Sequence, residues 1–321
     1  MRDLLSKADF EVHLRKMWAD RGFPIENGER VGVAISDLVA HSMQRNNALS
    51  LPSLDLWISI FDECLSWFIS LNTLVYAKRD KTGEMTDFEK SVTLILCKII
   101  ADGTAIRHLI LLGFDTASRS LLRSVSEYME VLVALLHKPE FSEDFIKSNT
   151  PEGAEEFWRA YLRGGKIRKR VTLAWRDFFD GHEDTAEWFG NWGRSSHVIL
   201  SGLTHPSFAG GFFTTLTPKE KHVDENWLGI WGDKSVLSVD TVYIFLKFAF
   251  PVLLLSRQFP FEGFDGSLAM PILYDETDEF HRHVRIGRDI LASVVLSLST
   301  DENMRHVFPE ADWSFLPDDA D

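Results

Sequence analysis

Arg194, His197 and Ser201 follow one another at intervals of three and four, and Thr204 and His205 lie three and four residues beyond Ser201, so a helix would place them on one stripe. An imidazole can take up and release a proton near neutral pH. A guanidinium beside it can hold a phosphate through paired N–H groups. Metal-independent RNA cleavage by 2′-hydroxyl attack needs those two abilities together. In that chemistry His205 would do the acid–base work, favoured in its protonated form by the negative end of the helix dipole. Arg194 or Arg119 would hold the phosphate, and Ser201 lies on the same stripe. Ser201 is not in a Gly-x-Ser-x-Gly elbow, so serine-hydrolase chemistry has little support. The alternative is a polar outer face with incidental histidines.

A second polar stripe comes from Arg119, Arg123, Glu127 and Glu130, opposite an apolar face of Leu121, Leu122, Val125, Tyr128, Met129, Leu132 and Leu136. Arg123 and Glu127 are one turn apart and can pair, which would let them orient a site. Two readings stand: a solvated face with a helix-stabilising ion pair, or a polar seam covered by further helices.

A third cluster is basic. Arg159, Arg163, Lys166, Arg168, Lys169, Arg170 and Arg176 lie close together with no acid between them, in a chain of net charge −14. Arg168, Lys169 and Arg170, with Arg119, are candidates for binding phosphate or nucleic acid, with Tyr161 and Trp175 nearby for stacking. Pairing with the chain's own acidic surface is the competing role. Arg176 and His182 fit a loose Arg-x(4–6)-His pattern, although Gly181 predicts that the helix stops before His182.

The elements that must position these residues are helical. Apolar periodicity predicts helices over residues 28–45, 53–79, 87–113, 115–137, 166–180, 184–204, 235–257 and 276–299. Residues 80–86 read as a loop, Asp115 or Thr116 as a cap, Pro151 as the first turn of another helix, and Gly164–Gly165 as its end. The apolar run 241–256 is shorter than the roughly 20 residues a spanning helix needs and reads as a core helix kinked at Pro251. Residues 206–234, rich in Gly, Thr and aromatics, read as an irregular or hairpin insertion. The acidic tail from 300 carries docking aromatics. The expectation is an all-α, multi-helix antiparallel bundle in a single domain over 1–321.

Composition narrows the functions. The chain has 321 residues, 45% hydrophobic, with ten Trp and twenty-four Phe, enough for a large packed core. The acidic balance disfavours nucleic-acid binding except through a local basic patch. Cys64 and Cys97 read as buried free thiols in a reducing cytoplasm. No signal-peptide pattern, cofactor motif or metal-site motif occurs. The expectation is therefore a cytoplasmic protein with no cofactor and no membrane partner, open to RNA, a protein partner or self-association.

The segment GFDTASRSLLRSVSEYMEVLVAL, followed by LSGLTHPSF, resembles a family of bacterial helical proteins of unknown function. In that family an Arg-Ser-Leu-then-Glu helix precedes a helix ending in Ser-x-x-x-His. The matching positions are Arg119, Arg123 and Glu127, then Ser201 and His205, within about residues 105–210. The family is distantly similar to HEPN-type bundles, several of which are nucleases of toxin–antitoxin and anti-phage systems. The resemblance implies a defence or toxin module and a metal-independent ribonuclease. The chain departs from HEPN in having no Arg four to six residues before His205. The other classes left open are a non-catalytic scaffold for a protein partner and a small-molecule sensor with its ligand in the polar seam.

Overall fold

The structure, a computed structural model, describes residues 52–179, 183–204, 236–256 and 279–298, with scattered helical or turn positions between 12 and 46. Contacts divide the chain into Met1–Ala48 and Leu49–Asp321. The described positions of the first unit include helical Ala40, Met43 and Gln44, within the helix expected over 28–45, and helical Asn46 just beyond it. The expected insertion at 206–234 and the tail from 300 lie outside the described residues.

The second unit is an all-α bundle, and among the described residues there is no strand. Its helices are α1 (Pro52–Thr82), α2 (Asp87–Leu111), α3 (Asp115–His137), α4 (Ser142–Ile146), α5 (Pro151–Phe157), α6 (Ile167–Phe178), α7 (Glu183–Thr204), α8 (Val236–Leu255) and α9 (Glu279–Leu298). Short turns join α1 to α2 and α2 to α3, so neighbours in sequence run antiparallel and pack together. α3 lies at the centre, packed against α2, α6, α7 and α8. Its second half, from Met129 to His137, is buried on every side.

Local chemistry sets the boundaries. α1 runs to Thr82, past the expected break at residue 80, and Gly83 ends it with φ +82°, a conformation that costs glycine little. α2 opens on a capping box: the Thr86 hydroxyl accepts from the Glu89 N–H, and the Thr86 N–H donates to Glu89 Oε2 at 2.8 Å. The expected cap at the start of α3 is absent. Phe114 holds the N-cap position without a side-chain bond, and Asp115 instead accepts from the Ser238 hydroxyl of α8 at 2.7 Å. A tie between helices has taken the carboxylate that a local cap would have used. Thr150 caps α5 with Pro151 in the first turn, as its sequence predicts. A π-helical turn, Trp158–Leu162, then leads to Gly164 and Gly165, both at positive φ.

The core is aromatic and aliphatic. Phe61, Phe68 and Phe245 meet edge to face, joining α1 to α8. Buried Trp67 donates its indole N–H to the Val284 carbonyl at 2.9 Å, tying α1 to α9. The expected short apolar run belongs to a 20-residue helix, α8, with Pro251 inside it. By length and composition Leu54–Tyr76 and Ser238–Leu255 could each cross a membrane, and 72% of the second window is buried inside the protein. Cys64 is buried, and burial pushes its thiol far above the ordinary cysteine range. Cys97 is exposed, a departure from the expectation of two buried thiols, because it lies off the inward face of α2.

Candidate functional site: a charged seam with a cationic mouth

The polar stripe of α3 is buried at Arg119 and Glu130 and half-buried at Arg123 and Glu127. α6, α7 and α8 pack over it, so the seam reading holds for these residues. Arg123 donates Nη2 to Glu127 Oε1 at 2.7 Å along the helix, and its Nη1 meets His197 Nδ1 of α7. The other ring nitrogen, Nε2, lies 2.7 Å from Glu130 Oε1. A guanidinium can only donate, so Nδ1 must accept and Nε2 carries the proton given to the carboxylate. His197 is 1% exposed and Glu130 is 7% exposed. The ring of Phe248 packs edge-on against the imidazole at 4.7 Å. With both nitrogens engaged and solvent excluded, His197 is built to hold α7 on α3 rather than to exchange protons.

This arrangement widens the inward face of α7. At helical spacing Trp188, Trp192, Ile199, Leu200 and Leu203 share one apolar face, which predicts that side as inward; Leu200 is buried, and Trp188 and Trp192 pack against the core. The buried positions are Ala186, Phe189, Ser196, His197 and Leu200, whereas Ile199 is 49% exposed. His197 faces inward because α3 supplies its partners. Ser201 is half-buried one turn beyond His197, and Arg194 is exposed one turn before it. His205 and His182 lie outside the described residues. Arg176 is exposed near the end of α6, which stops at Phe178.

Arg168 enters the seam from α6. Its Nε lies 3.8 Å from Glu130 Oε1, an ion-pair distance too long for a hydrogen bond. That Nε is buried and has no hydrogen-bond partner. Burial holds the Arg168 guanidinium below its ordinary range; Glu130 opposes this, and Arg123 and Arg194 add to it. Arg194 and Lys247 complete a cationic rim around a small cavity of about 30 Å3, backed by Trp175, Phe189, Trp192 and Phe248. Lys247 sits 4.6 Å above the Trp192 ring, a cation–π contact that fixes it over the mouth.

Aromatic stacking sets this geometry. Trp175 of α6 stacks on Phe189 of α7 at 4.7 Å, and Phe189 on Phe250 of α8 at 6.0 Å. Gly190 lets the helices close: a Cβ there would stand 3.2 Å from Thr172 Oγ1.

The remaining candidates divide. Arg119 turns to α8, donating to Thr241 at 3.0 Å with Asp240 at 3.7 Å, and burial lowers its guanidinium. Arg170 stacks over Phe141 and Tyr161. Arg159 pairs with Glu155, and Lys166 donates to the Arg159 carbonyl. Lys169 is exposed on α6. Most of the basic stretch thus holds its own fold, and Arg168 alone of the three consecutive cations lines the cavity.

The sequence missed Lys247, hidden in an apolar run, and underrated Glu130 and His197, both on the predicted stripes but not chosen. Among the described residues no group of three metal-ligating side chains gathers. No family model, no curated protein and no solved structure matches this chain.

Proposed function

We propose that the chain binds a phosphate-bearing ligand at the cationic mouth between α6, α7 and α8. The observation that carries this is the gathering of Arg168, Arg194 and Lys247 around one opening, with the Arg168 Nε buried and unbonded. Glu130 is the one carboxylate in the same lining, so three cations outnumber one anion, and a bound anion turns the remaining repulsion into charge-assisted hydrogen bonds. RNA is the source named by the resemblance to HEPN-like defence and toxin proteins, and a small nucleotide carries the same chemistry. Cleavage rests on His205 alone, since His197 is closed off by its partners.

The test is quenching of tryptophan fluorescence by inorganic phosphate, AMP, adenosine and a short single-stranded RNA at low salt. The proposal expects saturable quenching by the phosphate-bearing ligands and none by adenosine. Arg194→Ala and Lys247→Ala should each weaken binding roughly tenfold, the worth of one charge-assisted bond. Tighter binding of RNA than of AMP, with a steep salt dependence, would identify RNA as the source. RNA cleavage lost in His205→Ala without loss of binding would add the ribonuclease activity. Binding by none of these ligands, or binding indifferent to both variants, would overturn the proposal.

A further inference from the structure

Beside Glu127, α3 borders a second concavity. It encloses about 560 Å3 between α2, α3, α4, α5 and the π-helical turn, and it is lined by Leu94, Val131, Phe145, Phe157 and Leu162, with Tyr128 and Glu127 among the polar groups. That volume suits a drug-sized organic molecule. The wall is built rather than incidental. The chain kinks at Ser148 between α4 and α5, and it widens to a π-helical turn at Trp158–Leu162, a geometry that recurs at functional sites. Phe145 and Phe157 meet edge to face at 5.7 Å, which fixes the aromatic side of the cavity.

Glu127 is the one charged residue in this lining. A carboxylate accepts and cannot donate. Arg123 takes Oε1, and no contact among the described residues assigns a partner to Oε2. We propose that this cavity binds a small organic ammonium, its apolar body against Phe145, Phe157, Val131 and Leu162 and its N–H groups on Glu127. The ammonium would stand opposite Arg123 across the carboxylate, placing one anion between two cations. The chain's net charge of −14 draws cations and repels anions of the same shape. This site is separate from the cationic mouth and takes ligands of opposite charge.

The probes are dansylcadaverine, an aromatic body with a primary ammonium, and dansylglycine, which carries a carboxylate on the same body. Both are titrated into the full chain, and dansyl emission is read. Dansylcadaverine should give a saturable rise in emission and bind at least roughly tenfold more tightly than dansylglycine. Glu127→Gln should bring the two probes to similar affinity. Ala154→Trp, at an exposed position on the cavity rim, should block binding while the melting curve stays near wild type. Equal binding of both probes to the wild type would overturn the charge assignment. Emission that does not saturate, or that Ala154→Trp leaves unchanged, would overturn the site. Phosphate quenching of tryptophan, measured on the same samples, reports the other mouth separately, so either claim can fail alone.

Discussion

His197 Nε2 stands 2.7 Å from Glu130 Oε1 in a space closed to solvent, joining α7 to α3 across 67 residues of sequence. Arg123 holds the other ring nitrogen, and Glu127 holds Arg123 in turn. The alternation of donor and acceptor fixes every proton in the chain. Arg168 also approaches Glu130 Oε1.

Removing Glu130 should therefore be expensive. Glu130→Ala leaves the His197 N–H and the Arg168 guanidinium facing an apolar gap, at a cost of about 3 kcal/mol. Glu155→Ala breaks an exposed pair with Arg159 and should cost under about 0.5 kcal/mol. Urea denaturation midpoints of the two variants measure the difference. Similar small losses would place Glu130 on a solvated face.

The imidazole should be a single neutral tautomer. Nitrogen NMR of the histidine rings should show the proton of His197 on Nε2 and a bare, accepting Nδ1. In Arg123→Gln, where the amide can still donate and Glu130 still accepts, and in Glu130→Leu, where the Arg123 guanidinium still donates to Nδ1, the tautomer should persist; in the double variant Arg123→Gln/Glu130→Leu it should lose its preference.

The Asp144–Tyr161 pair gives stability a window in pH. The Tyr161 hydroxyl donates to Asp144 Oδ2 at 2.6 Å. That bond, with help from Lys147, holds the Asp144 carboxyl below its usual range, and the same bond raises the Tyr161 phenol. The depressed Asp144 contributes above its ordinary titration range, and the contribution is lost as pH falls through the lower folded value. The raised Tyr161 contributes below the ordinary phenol range, and that is lost as pH rises through the higher folded value. Tyr161→Phe should remove both limbs, so the stability gap to wild type should be widest near neutral pH and shrink at both ends. Melting temperatures across pH check this.

Trp67 ties α1 to α9 through one bond. Trp67→Phe removes that donor, strands the buried Val284 carbonyl and leaves a gap, so it should cost about 2–4 kcal/mol. Hydrogen exchange should then rise first in α9, the helix that loses its anchor.

Local signals in the sequence carried much of this fold. Pro151, Gly113 and Gly164–Gly165 mark helix ends by backbone chemistry alone, and Arg123 and Glu127 pair because they lie one turn apart. The burial of His197 in α7 was not legible. Trp188, Trp192 and Leu200 do pack against the core, but His197 is buried beside them because Glu130 and Arg123, brought from another helix, engage both ring nitrogens. Arg168 read as one of several surface cations for the same reason: its direction depends on Glu130 rather than on its neighbours. Asp115 read as a cap because the Ser238 hydroxyl that claims it lies 123 residues away.

The central claim is that the stripes of α3 and α7 meet as one seam, and a double-mutant cycle on Glu130 and His197 tests it most directly. Glu130→Ala, His197→Ala and the double variant are compared by denaturant unfolding. The seam predicts that the double variant loses less stability than the sum of the singles, by about 1–3 kcal/mol, as for residues in direct contact. Losses that add to within about 0.5 kcal/mol, the behaviour of independent sites, would contradict the seating of α7 on α3, and with it the mouth that Arg168, Arg194 and Lys247 form.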